Sequence, residues 1–71
     1  MIKVDAPMPG NVINVKVAKG DKVTTNQVLC IMEAMKMEMD IVSPGNGTVS
    51  EVSVKKGDVL DTGALMFTIE G

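Results

Sequence analysis

Few side chains in this sequence can do chemistry, and their scarcity narrows the possible functions. There is no histidine, so the commonest metal ligand and the commonest general base are both missing. The single cysteine, Cys30, cannot form an internal disulfide. It sits in the apolar run Val28–Met32 with no basic residue nearby in sequence to favour the thiolate, so it is expected to be a buried structural thiol. The residue in the most unusual setting is Lys36, bracketed by Met35 and Met37 within Met32-Glu-Ala-Met-Lys-Met-Glu-Met39. A lysine amine can attack an activated carboxyl group and form an amide, but only in its neutral form. Lysine side chains ordinarily titrate near ~10.4, so such an attack needs a partner that takes the proton. The other lysines read as solvated surface charges. Methionine is most often core filler, whereas large apolar residues beside an exposed lysine usually mark a contact surface.

The elements that position Lys36 follow from an internal repeat. At an offset of 37 residues, Asn11–Asp21 lies over Thr48–Asp58. Identical pairs include Pro7/Pro44, Gly10/Gly47, Val12/Val49, Val15/Val52, Val17/Val54, Lys19/Lys56, Gly20/Gly57, Asp21/Asp58, Thr25/Thr62 and Glu33/Glu70. Ile13, Val15 and Val17 alternate with Asn14 and Lys16, as Val52 and Val54 do with Glu51 and Ser53, which is the period of a half-buried strand. Val28–Met32 and Leu65–Ile69 are apolar runs rich in strand formers. Lys19-Gly20-Asp21 and Lys56-Gly57-Asp58 read as turns, as do the stretches 7–10 and 44–47. The expected fold is all-β: two similar four-strand halves, related by a pseudo-two-fold axis, forming a flattened β-barrel or sandwich.

Residues 32–39 disagree with this pattern, because Met, Glu, Ala and Lys are strong helix formers. The stretch is nevertheless only about two turns long and lacks caps at both ends. Met37, Met39 and Ile41 alternate with Glu38 and Asp40, which continues the strand period. One strand should therefore end near Glu33 and the next begin near Met37, with a tight hairpin between them. No residue in it is a favoured hairpin-turn type, and a local conflict of this kind tends to mark a functional site. Parity aligns Met37 with Met39 and Ile41, facing inward, and leaves Met35 exposed. Asp40 is expected on a solvated face; Glu33 suits either a partner contact or a solvated strand end. The junction of the halves falls at this hairpin and is the pseudo-symmetric counterpart of residues 1 and 71. Lys36 should thus occupy an exposed tip at the end of the domain opposite those residues.

Length and charge set further bounds. The 71 residues suffice for a single small domain, taken as 1–71, with little core to spare for an enclosed active site. The net charge of −2 and the single aromatic residue, Phe67, argue against a nucleic-acid binder. No run is long enough to span a membrane, and Met1–Asp5 lacks the apolar stretch of a signal peptide. A lone thiol fits a reducing compartment, so the expectation is a soluble cytoplasmic domain with no catalytic machinery of its own.

Glu33-Ala-Met-Lys-Met37 resembles the attachment motif of biotinyl (biotin carboxyl carrier) domains. The likeness extends to Ala6-Pro-Met-Pro-Gly10, to the turns Val17–Asp21 and Val54–Asp58, and to Ile41-Val-Ser-Pro-Gly45, and so covers nearly the whole chain. It implies that Lys36 is the lysine joined to biotin by biotin protein ligase. Met35 and Met37 then match the flanking methionines, Ala34 the small residue before them, and Glu33 a frequent acidic neighbour. It also implies a non-catalytic carrier whose biotin shuttles a carboxyl group between partners: a biotin carboxylase and a carboxyltransferase or decarboxylase. The halves match without an insertion, so the chain is similar to the thumbless domains of pyruvate and acyl-CoA carboxylases, transcarboxylase and sodium-pumping decarboxylases. Two rivals share the expected architecture. A lipoyl domain also modifies a hairpin lysine, usually in an Asp-Lys-Ala setting. An unmodified β interaction module would have no need of a Met-bracketed lysine at the junction.

Overall fold

The computed structural model describes residues 1–71 and contains eight strands and no helix. The strands are β1 (Ile2–Asp5), β2 (Gly10–Val15), β3 (Lys22–Val23), β4 (Val28–Ala34), β5 (Met37–Val42), β6 (Gly47–Val52), β7 (Val59–Leu60) and β8 (Leu65–Glu70). They form two four-stranded antiparallel sheets, ordered β1-β8-β6-β3 and β5-β4-β2-β7. The molecule is elongated, measuring 32 × 17 × 17 Å.

The repeat is reproduced in the strand register. Ile2 pairs with Ile69 and Val4 with Phe67; 37 residues away, Met32 pairs with Met39 and Cys30 with Ile41. Asn11 faces Glu33 in one sheet and Thr48 faces Glu70 in the other. The turns are twins as well. Gly20 and Gly57 have φ of 96° and 94°, a region open to glycine at no steric cost. Their amides donate to the carbonyls of Val49 and Val12 at 2.8 Å. The carboxylates of Asp21 and Asp58 accept from the Ala18 and Lys55 amides, each at 2.9 Å. Neither half carries an insertion. The halves do not form a sheet apiece, however: β1 and β3 complete the sheet of β8 and β6, while β5 and β7 flank β4 and β2.

Side chains from both sheets meet in one core. Phe67, Leu29, Met32, Met66, Ile69, Val12 and Val49 are its largest members, and all are fully buried. Strict alternation fails at irregularities in register between Val28 and Cys30 and between Val12 and Asn14. An extra residue in one strand turns the following side chains to the other face. Leu29 and Cys30 are therefore both buried although adjacent, as are Met66 and Phe67. For the same reason Val12, rather than Ile13, is the core residue of β2, which ends at Val15, short of Val17. Burial also raises the Cys30 thiol from 9.0 to about 11, the direction expected of a structural cysteine.

The two ends of the long axis differ. The loop 43–46 lies at the base of the β4–β5 hairpin, where the Ser43 amide donates to the Gln27 carbonyl. Ile2 and Gly71 lie against this loop, beside Gly45 and Asn46 respectively. Residues 1 and 71 are thus at the end opposite the hairpin turn, as the pseudo-symmetry requires.

Candidate functional site

The strands β4 and β5 pair from Val28↔Val42 up to Ala34↔Met37. Only Met35 and Lys36 remain to make the turn, with φ of 53° and 65°. Positive φ at both central residues is the pattern of a type I′ hairpin, whose twist matches that of the flanking strands. Asn-Gly suits it best; for other L-residues the left-handed region costs roughly 1–2 kcal/mol each. The paired strands below hold Met35 and Lys36 in this conformation. The helix-forming composition of 32–39 is overridden, because β4 already supplies Met32 to the core and β5 supplies Ile41.

The turn presents Lys36 to solvent at the tip of the long axis. Met35 is 85% exposed and Met37 71% exposed. The exposure of Met37 corrects the inward orientation predicted from parity. Met39 and Ile41 do pack on the core, but Met37, the first residue of β5 and adjacent to the turn, is left to solvent. Its cross-strand partner Ala34 is buried. One row lower, Glu33 and Glu38 face each other across the strands, both exposed. Like charges at directly opposed positions destabilise a hairpin, so this pair is a second local conflict beside Lys36. Asp40 is exposed, as expected. Cys30 lies lower in the hairpin opposite Ile41, sealed in the core and apart from the tip.

No pocket indents the surface. What the tip presents is a primary amine on a two-residue turn between two exposed methionines. Gly10 went unnoticed in the sequence as part of this site. It lies at the start of β2 against the root of the hairpin, where an added Cβ would collide with the Glu33 carbonyl oxygen and come within 3.2 Å of Ala34 Cβ. The recurrence of glycine at both 10 and 47 was the signal for such a close approach.

Known proteins agree with this geometry. The sequence profile described as "Biotin-requiring enzyme" matches residues 2–69. The chain belongs to the biotin-requiring enzyme family. Mitochondrial pyruvate carboxylase of Mus musculus is 48% identical over 68 residues, which is 96% of this chain and 6% of that protein. The biotin carboxyl carrier protein of Streptococcus mutans is 48% identical over 64 residues, covering 90% of this chain and 49% of that one. The chain therefore spans half or less of these relatives in the biotin-requiring enzyme family. The solved lipoyl domain of the Azotobacter vinelandii 2-oxoglutarate dehydrogenase complex superposes with a TM-score of 0.85 at 21% identity, covering 100% of this chain and 98% of that one. That likeness concerns the fold alone. The fold class is thus the expected one, and biotin is the cofactor of the family.

Proposed function

We propose that residues 1–71 act as one biotinyl domain and that Lys36 is the residue to which biotin is attached. The observation that carries this reading is the placement of Lys36 on a strained, exposed turn at the end of the molecule remote from residues 1 and 71. The neutral Lys36 amine attacks the carbonyl carbon of activated biotin; the C–N bond forms, the activating group leaves, and biotin protein ligase takes the proton. Attached biotin supplies the ring that accepts a carboxyl group from one partner and yields it to another. The protein's part is positional. The turn holds the arm at a known point, and tethering raises its effective concentration at each partner site. Glu33, opposed by Glu38, belongs to the surface the ligase reads, whereas Ala34, expected from the sequence to share that role, is buried beneath the turn and supports it instead. The partners are a biotin carboxylase and a carboxyltransferase or decarboxylase, and the setting is cytoplasmic.

Intact mass tests the assignment and separates it from the lipoyl alternative. Co-expressed with a biotin ligase and supplied with biotin, the chain should gain one biotin, mapped by peptide mass to Lys36. A lipoyl adduct, or biotin on Lys55 or Lys56, would overturn it.

Met35 and Met37 have a separate task. Both are exposed at the tip, so their side chains meet whatever surrounds the attached group. Replacing both with leucine keeps their volume and should leave the fold intact. Biotinylation should largely survive, since the position of Lys36 is unchanged, while carboxyl transfer should fall further than biotinylation does. Turnover of the fully biotinylated double variant with its partner enzymes is the measurement. Wild-type turnover would restrict the methionines to ligase recognition or packing.

A further inference from the structure

We infer that Gly10 is a positioning residue for the modification, setting the height and tilt of the Lys36 turn from the neighbouring strand. The inference rests on the assignment of Lys36 above. Gly10 is the first residue of β2, beside Leu60 of β7 and one step before the Asn11↔Glu33 pair. A Cβ at this position would run into the Glu33 carbonyl oxygen and would lie 3.0 Å from Met32 Cε and 3.2 Å from Ala34 Cβ. The obstruction is backbone on one side and a buried Ala34 on the other, so the hairpin root has to move if the glycine is replaced. The turn begins one residue beyond Ala34. Any shift of residues 33 and 34 is therefore passed directly to Lys36.

The fold contains its own control. Gly47 is the pseudo-symmetric twin of Gly10, and a Cβ there would collide with the Glu70 carbonyl oxygen and lie 2.8 Å from Ile69 Cγ2. The local insult is the same, in a β6–β8 pairing of the same register, but at the opposite end from the tip. Gly10→Ala and Gly47→Ala should therefore weaken the fold comparably, while only Gly10→Ala moves the reacting amine. Lost positioning and lost folding act on different kinetic constants. Unfolded molecules lower the concentration of competent substrate and raise the apparent KM. A misplaced amine lowers kcat, because displacement by about 1 Å from the reactive geometry can reduce a rate by as much as ~100-fold.

The experiment measures biotin incorporation into the full chain by a biotin ligase over a range of carrier concentrations, together with thermal melting of each variant. Gly10→Ala is expected to lower kcat by roughly tenfold or more. Gly47→Ala, with a similar fall in Tm, should keep kcat within about twofold of wild type. A kcat unchanged in Gly10→Ala, or reduced equally in both variants, overturns the inference. Should Gly10→Ala fail to fold, Ala34→Val enlarges the same contact from the hairpin side. A lowered kcat in that variant supports the role, and an unchanged one rejects it. If wild type itself is not biotinylated at Lys36, the fault lies with the site assignment instead.

Discussion

Lys36→Ala is expected to abolish biotinylation completely while leaving the domain folded. The side chain is exposed and the turn conformation is imposed by the strands beneath it. Stability should therefore change by no more than about 0.5 kcal/mol, the usual range for a surface substitution. No other lysine can take over. Lys55 and Lys56 lie in the turn that leads into β7, at the far edge of the sheet from β5, where the Gly57 amide is tied to the Val12 carbonyl. Lys19 lies in the twin turn, beside Val49 of the other sheet, and Lys22 begins β3 of that sheet. Lys3 is in β1, the far edge of that sheet, and Lys16 directly follows β2, at the end of that strand away from the Asn11–Glu33 pair. Intact mass and streptavidin capture of protein from cells with ample ligase and biotin provide the check. A single biotin on the Lys36→Ala protein would refute both the residue and the argument from geometry.

Phe67→Ala is expected to unfold the domain or to lower its melting temperature by tens of degrees. Phe67 is the only aromatic residue, the largest fully buried side chain, and pairs with Val4 and Val52 at the centre of its sheet. Truncating a buried phenylalanine costs about 3–5 kcal/mol, whereas the core of a domain this small rarely supplies more than ~3–5 kcal/mol in total. In a domain of about this size each kcal/mol shifts Tm by roughly 4–8 °C. The twin position provides the comparison. Cys30 is also fully buried but has far less volume, so Cys30→Ala should melt much closer to wild type. Circular dichroism melts of the two variants decide the matter, and a loss of only a few degrees in Phe67→Ala would contradict the account of the core.

Much of this was legible in the sequence because the chain states its pattern twice. The 37-residue offset anticipated the twin turns at Gly20 and Gly57, the hairpin at the junction of the halves and the position of the tip. Period-2 reasoning broke down where the ladder gains a residue. Nothing in the sequence around Leu29 or Ile13 announces a bulge, so adjacent buried residues and the core role of Val12 were missed. Met37 was misplaced because parity gives the face of a strand and not how much of a large side chain beside the turn is covered; in the same row the small Ala34 is buried and Met37 is not. Gly10 was visible as a repeated glycine, but its approach to the hairpin root depends on β2 being the neighbour of β4, a fact of topology.

The exchange of strands between the halves bears on how the domain is made. Ile2 has its partner at Ile69, and β1 has no neighbour in its sheet other than β8. During synthesis the first strand waits for the last, and the edge strand β3 likewise waits for β6. Contacts so distant along the chain slow folding, since the intervening loop must close before any pairing rewards it. A nascent chain stopped short of Leu65 could zip the β4–β5 hairpin, yet it would lack Met66, Phe67 and Ile69 to pack against. An isolated two-stranded hairpin is marginal in water, and this one carries positive φ at both turn residues. The supported turn that presents Lys36 therefore comes into being only after β8 has been translated, and a chain stopped before Leu65 should be a poor target for the ligase proposed above.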